Sequence, residues 1–112
     1  MLPKKNRIRK DADFGVICRY GRTFAGKGLV LKVRENKLNL VRIGVSVGLK
    51  FSRKAVTRNR IKRQSRAFFC QNLAKIVSGV DIIIIVGKGW DEKVNPGVEI
   101  GQILRKNGLI KE

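Results

Sequence analysis

The sequence predicts an α+β fold, an α/β sandwich in which a small sheet is packed by helices. Residues 29–35 and 40–48 alternate apolar and polar side chains, as β-strands do, and residues 80–86 form a β-branched strand. Apolar residues with helical spacing lie before, between and after these strands. The predicted order is α-β-β-(β)-α-β-α, where the bracketed strand is an optional short one around residues 22–27. All 112 residues are expected to form a single domain.

A basic arm, residues 1–10, begins the chain and is expected to be mobile unless it is bound. A short helix follows, with Asp11 able to cap its first turn and Gly21 able to end it. Its apolar face consists of Phe14, Ile17 and Cys18.

The first two long strands are expected to form a hairpin with residues 36–39 as its loop. Each strand has one apolar and one partly charged face, which predicts a sheet that carries its helices on one side only. The third strand contains four consecutive isoleucines and therefore suits a position shielded on most sides.

The longest helix is predicted over about residues 53–78, with Ser52 as its N-cap. Its apolar arc contains Ile61, Phe68, Phe69 and Ile76, and basic residues occupy its other faces. The last helix is expected to begin at Asn95-Pro96 and to stop at Asn107-Gly108.

Positive charge is large and segregated along the chain. Lys and Arg number 26 against 8 Asp and Glu, which gives a net charge of +18. Between Glu35 and Asp81 there are eleven basic residues and no acidic one. Such segregation indicates a surface that binds a polyanion, whereas the alternative is a solvated surface without a partner.

The residues needed for autonomous catalysis are missing from the sequence. There is no histidine, so no Ser-His-Asp or Cys-His arrangement is available, and the carboxylates form no recognisable metal-binding motif. Cys18 and Cys70 are expected to be free thiols, although a disulfide between them is possible. No signal peptide or membrane span is expected, so the protein should be soluble and intracellular.

Nucleic-acid binding fits the long helix better. Arg58, Lys62 and Arg66 form a ladder at i, i+4 and i+8 that can contact phosphates, with Asn59 and Arg63 beside it. RNA is favoured mildly over duplex DNA, and the candidate residues for base stacking are Phe14, Tyr20, Phe24 and Phe51. Phe14 is either a core residue or a stacking residue, whereas Trp90 is expected to pack.

The stretch "AVTRNRIKRQSRAFF" resembles the signature helix of the bacterial ribonuclease P protein component. The matching positions are Arg58-Asn59-Arg60, Lys62-Arg63 and Arg66. The segments "KKNRIRKDADF", "RIGVSV" and "VDIIIIVGKG" are also similar to that family, so the resemblance covers nearly the whole chain.

This resemblance implies a sheet with a left-handed βαβ crossover through the long helix. It also implies a protein subunit that binds the catalytic ribonuclease P RNA and precursor tRNA. In this family the RNA performs the Mg²⁺-dependent endonucleolytic removal of the 5′ leader, and the protein assists. The implied protein is a cytoplasmic monomer that contacts no membrane and has no catalytic residue or metal ligand of its own.

Site residues are carried over from the family by position. The surface for the RNA subunit would comprise Lys54, Arg58, Asn59, Arg60, Lys62, Arg63 and Arg66. The leader, in a cleft between the first helix and the sheet, would meet Phe14, Lys32, Lys50, Phe51, Ser52 and Arg53. Cys18 and Lys32 replace aromatic residues that the family often has, so charge is expected to hold the leader more than stacking does.

Two alternatives remain open at this point. A ribosomal or general RNA-binding protein would bind RNA with similar salt dependence but would not be required for leader removal. A self-sufficient nuclease would cleave RNA by itself and would need a carboxylate cluster.

Overall fold

A four-stranded mixed sheet with three α-helices forms the fold, in a computed structural model that describes residues 2–111. The helices are α1 (Asp11–Tyr20), α2 (Ala55–Asn72) and α3 (Pro96–Lys106). The strands are β1 (Arg22–Ala25), β2 (Leu29–Glu35), β3 (Arg42–Val47) and β4 (Val80–Val86). Short 3₁₀ helices occupy Lys4–Asn6 and Leu73–Lys75. The α+β class is confirmed, and β1 is the optional strand.

The strands lie side by side in the order β1-β2-β4-β3, with only β3 and β4 parallel. The predicted hairpin between β2 and β3 is therefore wrong, because β4 lies between them. Ile82, Ile83 and Ile84 of β4 are fully buried, as expected for the most apolar strand of the sheet. The long helix joins two parallel strands, while the left-handed sense of that crossover stays a prediction.

Helices cover both faces of the sheet, so the expectation of helices on one side only is wrong. On one face Ile43, Ile82 and their neighbours pack with residues of α2 and α3 such as Ile61, Phe69 and Leu104. On the other face, α1 contacts β2 and β4. The reason is that the isoleucines of β4 point alternately to the two faces of the sheet. Ile82 and Ile83 are both fully buried, so each face must be shielded from water.

The N-terminal arm is docked on the edge of β3, which corrects the expectation of a mobile arm. Leu2 is buried in the core, and the Asn6 side chain donates a 2.7 Å hydrogen bond to the Val41 carbonyl oxygen. The Ile8 amide donates to the carbonyl oxygen of Ile43 at 2.9 Å. These residues anchor the arm despite its charge, while Met1 lies outside the described residues.

The helix boundaries differ from the predictions at two places. Asp11 is the first residue of α1, and Lys10 occupies its cap position. The long helix is shorter than predicted, because its cap position is Lys54 and the chain turns into a 3₁₀ helix after Asn72. The start of α3 is confirmed, since the Asn95 side chain accepts a 2.9 Å hydrogen bond from the Gly97 amide. The predicted packing of Trp90 in the core is also confirmed.

A partly buried ion pair joins β3 to β4. The Asp81 carboxylate accepts hydrogen bonds of 2.8 and 2.6 Å from Arg42 and one of 2.7 Å from the Asn36 side chain. The hydrogen bond with Asp81 raises the pKa of the Arg42 guanidinium above its ordinary value. Asp13 of α1 lies 3.5 Å from the same guanidinium, which connects α1 to this pair.

We expect Asp81→Ala to lower the free energy of unfolding by about 3 kcal/mol, because it leaves Arg42 without its main partner inside the fold. Urea unfolding would measure the loss. Glu35→Ala removes an exposed carboxylate from β2 and should change stability by less than about 0.5 kcal/mol. Equal unfolding midpoints for the two variants would contradict the role given to the ion pair.

Candidate nucleic-acid interface

The exposed face of α2 carries the basic residues that the sequence singles out. Thr57, Ile61, Ser65 and Phe69 are the buried residues of α2 and recur every four positions. This spacing keeps one side of the helix on the core. None of the seven residues predicted to face an RNA subunit is buried: Lys54, Arg58, Asn59, Arg60, Lys62, Arg63 and Arg66. Their contact with RNA stays a prediction.

Two arginines of this face also hold neighbouring loops in place. Arg58 donates to the Ser52 carbonyl oxygen at 2.9 Å, and Arg60 donates to the Glu92 carbonyl oxygen at 2.8 Å. Since a guanidinium carries five N–H donors, one such bond orients the group and leaves donors for a phosphate. The loops that follow β3 and β4 are thereby tied to the same helix.

Because β3 and β4 are parallel neighbours, the loops after them begin at the same end of the sheet. Lys50 and Arg53 from the first loop and Lys88 from the second line a surface depression of about 830 Å³, together with the exposed Leu49. Sequence reasoning missed Lys88, which is far from Lys50 along the chain. Only the pairing of β3 with β4 brings these three cations together.

Two other loop residues, Phe51 and Ser52, are predicted to meet the leader. In the structure their contacts shape the loop. Phe51 is half-buried and packs against the core. The Ser52 hydroxyl oxygen accepts a 3.2 Å hydrogen bond from the Lys54 amide immediately before α2. Both residues therefore help to fix the loop that carries Lys50 and Arg53. Neither offers a broad exposed surface.

Phe14 lies between the core and a cavity. The two roles considered for it, core residue and stacking residue, therefore each describe part of its environment. Its ring lies over Gly44: a Cβ atom on that glycine would come within 2.9 Å of the ring. The ring also lines a cavity of about 340 Å³ with Arg7, Arg9 and Arg66. This cavity sits at the edge of β3, where groups from both faces of the sheet meet. Sequence reasoning placed Arg7 and Arg9 in the basic arm but did not group them with Phe14.

Lys32 lies on the face of the sheet that α1 packs against. Its ammonium donates a 2.5 Å hydrogen bond to the Thr23 hydroxyl oxygen across the β1–β2 pair. On the same face, Val30, Ile85 and Ser46 are aligned in register and half-buried. These three residues form a partly exposed sheet surface beside α1. Because strand residues alternate between faces, the sequence could have identified this surface once the buried face was known.

Within residues 2–111, no group of three or more His, Cys, Asp or Glu residues could hold a metal ion. Cys18 and Cys70 are both free thiols. No helix in the described part of the chain has the length and apolarity needed to cross a bilayer.

Sequence comparisons identify similar proteins over nearly the whole chain. A family model described as Ribonuclease P matches residues 2–100. A ribonuclease P protein component of Pseudanabaena sp. (strain PCC 6903) is 41% identical over 87 residues, covering 77% of this chain and 75% of that protein. One from Clostridium botulinum (strain Loch Maree / Type A3) is 36% identical over 109 residues, covering 95% and 97%.

Solved structures agree with the sequence comparisons. The RNase P protein of Staphylococcus aureus superposes with a TM-score of 0.82 at 29% identity, covering 95% of this chain and 98% of that one. The RNase P protein of Thermotoga maritima gives a TM-score of 0.75 at 31% identity, covering 90% and 93%.

The packing of the Phe14 ring over Gly44 leads to a prediction about stability. Gly44→Val would place a side chain where the Phe14 ring lies and should lower the free energy of unfolding by about 1–3 kcal/mol. Gly15→Ala is the matched control, because a Cβ at Gly15 meets nothing within 4 Å. This change in α1 should stabilise the protein by about 0.5–1 kcal/mol. Thermal unfolding that ranks the two variants in the opposite order would refute the packing of α1 through Phe14.

Proposed function

The chain belongs to the ribonuclease P protein family, and on that basis we propose that it binds the catalytic RNA and the 5′ leader of precursor tRNA. It is the protein component of the tRNA-processing enzyme. In our proposal it assists the removal of the leader that produces the mature 5′ end of tRNA. It would act in the cytoplasm as a monomer.

The observation that carries this proposal is the exposed basic face of α2. No acidic residue lies anywhere in α2, and the basic residues between Thr57 and Phe69 all remain at the surface. Two of them are held in fixed directions by backbone carbonyl groups. A cationic helix face without acidic residues suits the closely spaced phosphates of a folded RNA.

We assign the leader to the face of the sheet that α1 packs against and to the loops after β3 and β4. Phe14 supplies an aromatic ring, while Lys32 supplies a charge on the sheet face that α1 covers only in part. Lys50, Arg53 and Lys88 supply charge at the carboxyl ends of β3 and β4. The cavity that contains both Phe14 and Arg66 links this region to the α2 face. A single strand and a folded RNA could therefore be bound by adjoining surfaces.

Mg²⁺ and the hydrolytic step are assigned in this proposal to the RNA. Our proposal places no magnesium site on the protein and assigns no catalytic step to a protein side chain. Among residues 2–111 no group of three or more His, Cys, Asp or Glu residues could hold a metal ion. The protein contributes binding and orientation of its two RNA partners.

A cleavage assay tests the proposed function. Precursor tRNA at low Mg²⁺ would be incubated with protein, with ribonuclease P RNA, and with both. Leader release that requires the mixture supports the proposal. RNA binding with no gain in cleavage would favour a general RNA-binding protein, and cleavage by repurified protein alone would mean that it contains an active site.

Arg63→Ala should weaken binding to the RNA subunit by removing one exposed cation from α2. If Arg63 contacts one phosphate, the slope of log K against log salt should become shallower by about 0.7–0.9. Binding titrations at several salt concentrations would measure it. Lys106→Ala, at the end of α3, removes the same charge elsewhere and should leave the slope unchanged. Equal changes in both variants would show that only total charge matters.

Phe14→Leu should weaken the binding of precursor tRNA to the reconstituted enzyme about three- to tenfold, because it removes a ring on which a base can stack. Leucine keeps apolar contact with the core, so the fold should be preserved. Binding of mature tRNA, which lacks the leader, is the internal control. A similar loss for both tRNAs would argue against a role of Phe14 in leader binding.

A further inference from the structure

Tyr20 is an exposed aromatic residue outside the surfaces assigned so far. It is the last residue of α1, and 67% of its surface is exposed. Of the candidate stacking residues, Phe24 and Phe51 pack against the core and Phe14 lies over Gly44. Tyr20 alone among these four is an exposed residue.

Two guanidinium groups lie against this ring. The central carbons of Arg19 and Arg34 are 6.0 and 5.9 Å from the ring centroid. Both arginines are exposed, and one comes from α1 while the other comes from β2. Exposed contacts of this kind contribute little to the stability of the fold. We call Arg19, Tyr20 and Arg34 the Tyr20 cluster.

The Tyr20 cluster lies on the same side of the sheet as Lys32. Arg34 and Lys32 are two residues apart on β2, so their side chains leave the same face about 7 Å apart along the strand. The cluster is at the C-terminal end of α1, whereas Phe14 is near its start beside the edge of β3. The face that bears Phe14 and Lys32 is therefore extended by a second aromatic group with cations around it.

We propose that the Tyr20 cluster is a stacking site for one nucleotide of single-stranded RNA. A base can stack on the tyrosine ring or on a guanidinium plane, and the arginines can also contact its phosphate. Such a site tolerates any base, because every base has a π face. The two arginines give the cluster a positive charge that suits a nucleic acid. This inference rests on the proposed function and concerns leader nucleotides beyond those near Phe14 and Lys32.

The experiment measures binding of precursor tRNAs to the reconstituted enzyme while the leader is shortened one nucleotide at a time from its 5′ end. Tyr20→Ala should weaken binding of the longest leaders about five- to tenfold and should have no effect once the leader is too short to reach the cluster. Tyr20→Phe keeps the ring and should bind like the unaltered protein at every length. Arg34→Ala should show the same length dependence as Tyr20→Ala, with a smaller loss.

Two results would overturn the inference and leave the proposed function intact. One is wild-type binding by Tyr20→Ala at every leader length, and the other is a loss that is equal for long and short leaders. The second result would place the effect in the fold or in the RNA subunit, and the unfolding midpoint of Tyr20→Ala would separate these causes. If the unaltered enzyme showed no dependence on the leader at all, the proposed function itself would fail together with the inference.

Discussion

Burial of β4 at the centre of the sheet is the constraint on which the other features depend. Ile82, Ile83 and Ile84 are fully buried between the two faces, and the edges of the strand are occupied by β2 and β3. Since β3 runs parallel to β4, the chain needs a long crossover between them, and α2 is that crossover. The same pairing places the loops after both strands at one end of the sheet, where their cations meet.

Covering β4 on its second face also explains the position of α1. Ile83 and Gly44 are neighbours in the register, and the Phe14 ring fills the space above the glycine. Gly44 thus allows an aromatic side chain to approach the sheet closely at one edge. Farther along the same face, Val30, Ile85 and Ser46 remain partly exposed. A helix that covers only part of a sheet face leaves a shallow cleft beside it, as the proposed leader binding requires.

Two acidic residues support the fold by pairing with Arg42, and none lies in the basic helix α2. Asp81 and Asp13 both interact with Arg42, which joins β3, β4 and α1. The cations of α2 have no acidic neighbour on their own helix and repel one another. An RNA partner would relieve that repulsion, because phosphates would replace the counterions around these side chains. The Tyr20 cluster follows the same pattern, with two arginines over an exposed ring.

The sequence by itself determined the α+β class, the cationic face of α2, the start of α3 and the burial of Trp90, because each depends on local spacing or composition. Only the tertiary structure decided the order of the strands, the two-sided cover of the sheet and the docking of the arm. Periods of 2 and 3.6 residues show which side chains are buried, but they do not show which strands are neighbours. The grouping of Lys88 with Lys50, of Phe14 with Arg66 and of Tyr20 with Arg34 depends on those neighbours.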